Sequence, residues 1–171
     1  KKYQTEKYDF NKNGVLIDIT THIPVIKNIR TAGKERTIKI SGQDIWVGMN
    51  HHLRSKISKE LKKFFYDAIK ECQVLDDKDY PIGISIDIYD VIQSSADIDN
   101  FEHIYRKCLH DALAGNIEFV KDENGKFSSD KENYISIIKD DNLNYVRQMV
   151  TTFYPIENHD DSQMIIKLYK L

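Results

Sequence analysis

Several things are scarce in this sequence, and each scarcity removes a class of function. Only Cys72 and Cys108 are present among 171 residues, without CxxC spacing, and the adjacent His51 and His52 cannot complete a zinc pattern with them. That argues against structural zinc and leaves both thiols as core residues in a reducing, intracellular and expectedly cytoplasmic setting. No apolar run approaches the roughly 20 residues of a membrane helix, so a membrane is not expected as a partner. The chain opens on Lys1 with no secretory signal in view. None of the seven glycines builds a phosphate-cradling loop, which argues against hydrolysis of small nucleotides. Repeats, linkers and low-complexity stretches are also absent, and one domain over residues 1–171 is expected.

A net charge of −2 excludes a uniformly basic nucleic-acid binder, yet the charge is unevenly spread. From Lys27 to Lys63 ten cations face three carboxylates, a local net of +7, whereas acid gathers after Asp76. Such a chain can offer a basic surface to a polyanion while keeping carboxylates for a metal. On charge alone, a solvated helix face explains the same pattern.

The hydrophobic pattern gives the elements. GVLIDITTHIP (14–24) alternates, is rich in β-branched residues and stops at a proline, as a first strand does. Residues 25–45 read as a basic connection holding Lys27, Asn28, Arg30, Lys34 and Arg36, with a short strand at TIKIS. From Met49 to Cys72, Leu53, Ile57, Leu61, Phe65 and Ile69 recur at helical spacing and leave Arg54, Lys59, Lys62 and Lys63 for other faces. DDKDYP is a turn, and IGISIDIYDVI (82–92) alternates like a strand with one buried face. Phe101, Ile104, Tyr105, Cys108, Leu109, Ala112 and Leu113 then form an amphipathic stripe ended by Gly115, with Asp99, His103, Arg106 and His110 pointing away from it. FVKDENGKFSS (119–129) carries an Asn-Gly turn and reads as a hairpin or loop; its glycine comes too soon after Asp122 for an EF-hand. NYISIIKDDNLNYVRQMVTTFYPIE is strand-like on both sides of a turn at Asp140–Asp141, and MIIKLYKL closes the chain as a strand. The expected class is α+β: a mixed sheet with two main helices on one face.

The chemistry concentrates at Asp97-Ile98-Asp99-Asn100. Asp99, with Glu102 three residues on, is a capping box, and capping alone explains Asp99. It does not explain Asp97. Two carboxylates one residue apart where a strand yields to a helix can converge on a hard cation if a third arrives from elsewhere, and Asp140 and Asp141 in their polar turn are the favoured source.

These motifs resemble the RusA family of Holliday junction resolvases, whose pattern is D-x-D-N, a helix ending in D-A-L (here Asp111-Ala112-Leu113), and a paired aspartate leading into a strand. The resemblance runs from about Val15 to the end of the chain. It implies a RusA-like fold and a homodimeric endonuclease that cuts branched, four-way DNA symmetrically in recombination and repair. It implies magnesium, with manganese as a substitute, held by Asp97, Asp99, Asp140 and Asp141. It also implies catalytic roles for Asp97, Asp99, Asp141, His103 and Lys107, and DNA contacts from Asn100, Arg106, Lys27, Arg30, Lys34, Arg36, Arg54, Lys59, Lys62 and Lys63. Departures are visible. The family lysine four residues after the second motif aspartate is His103 here, with Lys107 one turn on. Ten residues separate D-I-D-N from D-A-L, about a turn more than in the family. The later motif is closer to D-D-x-Q, which Asp160-Asp161-Ser162-Gln163 spells and Asp140-Asp141-Asn142-Leu143 does not; Asp141 is preferred over Asp161 because a strand, a turn and a final strand follow it. The competing reading is a catalytically inactive junction-binding or regulatory protein of the same fold, as loss of the lysine would allow. Trp46, Tyr66 and Tyr105 are assigned to the core, and His22 and His159 receive no role.

Overall fold

The computed structural model describes residues 14–31, 34–39, 51–91 and 99–171, with side chains for 14–24, 51–91 and 102–171. Its elements in chain order are β1 (Val15–Thr21), β2 (Val25–Thr31), β3 (Lys34–Lys39), α1 (His51–Ile69), β4 (Ile82–Asp90), α2 (Asp99–Leu113), β5 (Phe119–Lys121), β6 (Phe127–Ser129), β7 (Val146–Pro155) and β8 (Gln163–Lys170). Short 3₁₀ turns occupy Asp77–Asp79 and His159–Asp161. The class is α+β, as expected.

The four-stranded sheet has the order β1-β8-β4-β7 and is mixed: β8 is antiparallel to β1 and β4, whereas β7 is parallel to β4. Side chains alternate across a strand, so Ile84, Ile86 and Ile88 share a face with their partners Leu168, Ile166 and Met164. Both helices close over that face. Ile57, Leu61, Phe65 and Ile69 from α1 join Ile104, Tyr105, Cys108, Leu109, Ala112 and Leu113 from α2 in one buried cluster with those isoleucines. The helical stripes read in the sequence are therefore the core faces. Burial raises the Cys108 thiol to about 12, so it stays protonated and inert, as a core cysteine should.

Three expectations change. Residues 25–39 are not a connection with one short strand: β2 and β3 form a two-stranded antiparallel hairpin, with Val25 opposite Lys39 and Thr31 opposite Lys34. Residues 133–139 are not a strand. Ile137 and Ile138 are buried there, and their backbone N–H groups donate to the Leu113 carbonyl at 2.8 and 3.1 Å, while the Ile137 carbonyl accepts from Leu75 at 2.9 Å. The helix end and the Leu75 loop thus satisfy backbone groups that a sheet partner would otherwise have to meet. Finally, β7 and β8 are not a hairpin, because β4 lies between them.

Helix α2 ends as the sequence indicates. Gly115 adopts φ +67°, its N–H donates to the Ala112 carbonyl at 3.0 Å, and a Cβ placed there would sit 2.7 Å from the Tyr134 carbonyl oxygen. Both the left-handed backbone and that close approach need glycine. Gly115→Ala should therefore cost about 1–3 kcal/mol, read as a lowered Tm in thermal unfolding followed by circular dichroism.

Candidate active site

The register of β4 decides which aspartates can meet. At its start Ile82 pairs with Val146, and at its end Asp90 pairs with Pro155 and Tyr89 with Gln163. At about 3.3 Å per residue the two ends lie roughly 26 Å apart. Helix α2 runs back along the strand. Tyr105, whose hydroxyl is pushed up chiefly by burial and further by the Asp90 carboxylate, lies toward the Asp90 end. Further along, His110 Nε2 lies 3.4 Å from the sulfur of Met149, the residue opposite Ile84, and Leu113 holds Ile137 and Ile138. The opening of α2 at Asp99 therefore belongs to the carboxyl end of β4.

Asp160 and Asp161 stand at that same end. Their 3₁₀ turn is capped by Asn158, whose side-chain oxygen accepts from the Asp160 N–H at 3.0 Å, and the following Ser162 hydroxyl donates to the Asp90 carboxylate at 3.0 Å. Asp90 is buried and also accepts from the Val91 N–H at 2.8 Å, so it anchors the turn. Asp160 and Asp161 are exposed.

Asp140 and Asp141 lie elsewhere. They lead into the start of β7, and Asp141 acts electrostatically on Lys107 and His110. Lys107 is about 12 Å along the helix axis from Asp99, and its ammonium reaches still farther away, to Asp111 at 2.8 Å. Asp140 is occupied locally: its carboxylate accepts from the Asp141 N–H at 2.7 Å and the Asn142 amide at 2.8 Å, which holds it below the ordinary carboxylate range. Asp140 and Asp141 thus lie beside the Lys107–His110 stretch of α2. Register puts Asp160 and Asp161 at the carboxyl end of β4. Asp97 lies outside the described residues, and Asp99 and Asn100 are placed as the first residues of α2 by backbone alone.

The polar edge of α2 lines a groove of about 500 Å³ formed by Glu102, His103, Arg106, Lys107 and His110. Arg106 is paired with Glu102 at 2.8 Å, and His103 is exposed. Burial holds His110 below its ordinary pKa, with Asp141 opposing the shift. The Asp111 carboxylate raises Lys107 above the usual lysine range.

The cations of α1 are less available than their number suggests. Lys62, with its side chain 18% exposed, bonds Asp111 at 2.8 Å, so the buried Asp111 carboxylate is clamped between Lys62 and Lys107. Lys59 and Lys63 both reach Glu118, at 2.9 and 2.7 Å, and pull that carboxyl down to about 2. Lys62 is committed to Asp111, since removing it would leave that buried carboxylate with half its charge compensation. Lys59 and Lys63 keep exposed pairs of the weak surface kind, which a phosphate can displace. Arg54 is half-buried on α1. Lys27, Arg30, Lys34 and Arg36 belong to the β2–β3 hairpin, with Arg30 opposite Glu35 and Arg36 opposite Ile29. The Asp111 clamp was half-visible in the sequence as the i,i+4 pair Lys107–Asp111; Lys62, from another helix, left no local signal.

Among the described residues, no group of three or more His, Cys, Asp or Glu side chains is gathered to hold a metal. Comparison with protein-family models, with curated proteins and with solved structures returned no match.

Two outcomes follow from this geometry. Lys62→Met should lower unfolding stability by about 2–4 kcal/mol in urea titration, and adding Asp111→Asn should recover part of the loss. Because burial depresses His110, the unfolded chain takes up the proton first. The His110 contribution is present above an unfolded pKa of about 6.5 and is lost as pH falls through the lowered folded value. Tm measured from pH 7.5 down to pH 5 should fall less steeply for His110→Gln than for the wild type.

Proposed function

We propose that the chain is a magnesium-dependent, structure-selective DNA endonuclease of the RusA kind, which cuts four-way junctions symmetrically as a homodimer. The observation that carries the reading is the β4 register: it sets Asp160-Asp161-Ser162-Gln163 at the end of the strand from which the chain leaves for D-I-D-N and α2. Asp161, with Asp97 and Asp99, would hold the ion. The chemistry of the donors fits, since magnesium takes hard oxygen ligands and the two carboxylates of the 159–161 turn are exposed. When bound, the ion supplies charge stabilisation at the scissile phosphate and a more acidic water.

The remaining roles fall to this chain's side chains. His103, one turn into α2, is exposed in the place of the family lysine and would donate to a phosphate oxygen when protonated. Arg106 lines the adjoining groove and would hold the next phosphate by exchanging Glu102 for the strand. Lys107, drawn to Asp111, serves better to order the helix than to meet substrate. Asp90 positions the turn through Ser162. The substitution at His103 favours the second reading, a protein that binds junctions without cutting them.

The deciding experiment incubates a labelled four-way junction and a matched linear duplex with the protein, in magnesium or chelator. Paired symmetric cuts in the junction alone are expected, with Asp99→Asn and Asp161→Asn each reducing the rate at least a hundredfold and Asp141→Asn leaving it within a few-fold. Tight junction binding without cuts would select the second reading. Loss of cleavage in Asp141→Asn but not in Asp161→Asn would reverse the assignment of the third carboxylate.

A further inference from the structure

The face of the sheet turned away from the helices carries a pair of aromatic rings at the candidate catalytic end. Tyr89 and Tyr154 are direct partners in the parallel β4–β7 ladder, and their rings stack with centroids 4.6 Å apart and planes 12° from parallel. The centroid spacing matches the separation of neighbouring strands, so the stack runs in the hydrogen-bonding direction of the sheet, across it toward β7. Strand β7 is one of the two outer strands of the four. One face of the Tyr154 ring is covered by Tyr89, and the residue is 39% exposed on a strand with a single strand neighbour in the sheet. The row continues inward to Gln163, opposite Tyr89, one residue beyond the serine that bonds Asp90.

We propose that the outer face of Tyr154 is a stacking platform for one unpaired nucleobase, with Tyr89 as the ring that fixes its plane. This rests on the nuclease reading in one respect, that the ligand is nucleic acid. A ring held flat by a second ring has already lost the freedom that stacking would otherwise cost, and every base presents a π-face to it. The charge pattern favours the base over the phosphate: residues 148–166 contain no lysine or arginine, and the adjoining turn offers Glu157, Asp160 and Asp161. The ligand is therefore a base displaced from its stack, as at the crossover of a branched duplex, lying on the same end of β4 as the aspartates. Because a base–ring contact releases no counterions, its contribution should not change with salt, unlike contacts to the backbone.

The test uses the full chain in chelator with a four-way junction carrying 2-aminopurine at the crossover and, separately, a short 2-aminopurine single strand. The wild type should quench the fluorescence. Tyr154→Ala should remove the quenching and weaken binding about five- to a hundredfold, by the same factor at 50 and 200 mM salt, with Tm unchanged; Tyr154→Phe should behave as wild type. Unchanged quenching and affinity in Tyr154→Ala would overturn the platform, even if the junction is cut in magnesium. Quenching that depends on Tyr154 would uphold it even if no junction is ever cut, in which case only the nuclease reading fails. A Tyr154→Ala variant that binds DNA normally but changes its mass in light scattering would give this strand edge to a second copy of the chain and overturn the proposal.

Discussion

Strand β4 is hydrogen-bonded along both of its edges, by β7 running with it and β8 running against it. A strand in that position has its backbone groups satisfied along its whole length, so its register cannot slip without turning a row of isoleucines out of the core. That fixed register gives the two ends of the strand their separate characters. At one end lie Asp90, the Asp160–Asp161 turn and the opening of α2; at the other lie the segments at Leu75, Leu113 and Ile137, which bond to one another. The Asp160–Asp161 turn, on which the proposed site draws, stands at the first end.

The electrostatics follow a similar division. Composition gives the α1 segment a strong positive charge, but folding spends most of it on carboxylates brought in from later in the chain. Lys62 goes to Asp111, and Lys59 and Lys63 go to Glu118. These pairs tie α1 to α2 and to the residues just beyond it, and the Asp111 clamp is the tighter because it is buried. Still facing outward are Lys56, the exposed pairs of Lys59 and Lys63, and the edge of α2, where exposed His103 and the paired Arg106 line one groove. A helix face that looks basic in sequence is, in the fold, largely a neutralised seam.

Both helices were legible, since a 3.6-residue apolar stripe is imposed by burial on one side and nothing else produces it over four turns. The isoleucine alternation of β4 and the Asn-Gly hairpin of β5–β6 were legible for equally local reasons. The β2–β3 hairpin was obscured because its cations drew attention from its alternation. Residues 133–139 misled in the opposite direction: their apolar pattern reports burial, which non-strand partners supply. The places of Asp141 and Asp161 depend on sheet order, which has no local signature. The sequence of elements along the chain points to Asp141, whereas β8 inserts between β1 and β4, so order in the chain is not order in the sheet.

The place of β8 also governs how the sheet comes together in time. It is the last strand of this sequence and an inner strand of the sheet, with β1, the first strand described, as its outer neighbour. Until β8 arrives, β1 has no partner and β4 is paired on one side only, so two unsatisfied edges face each other across a gap one strand wide. Closing that gap joins residues separated by almost the whole length of the chain, with Val15 meeting Tyr169. Contacts of such long range are slow to form, and an open slot lined by Ile84, Ile86 and Ile88 accepts any extended apolar segment that reaches it first. The interval before β8 docks therefore leaves two strand edges open to mispairing.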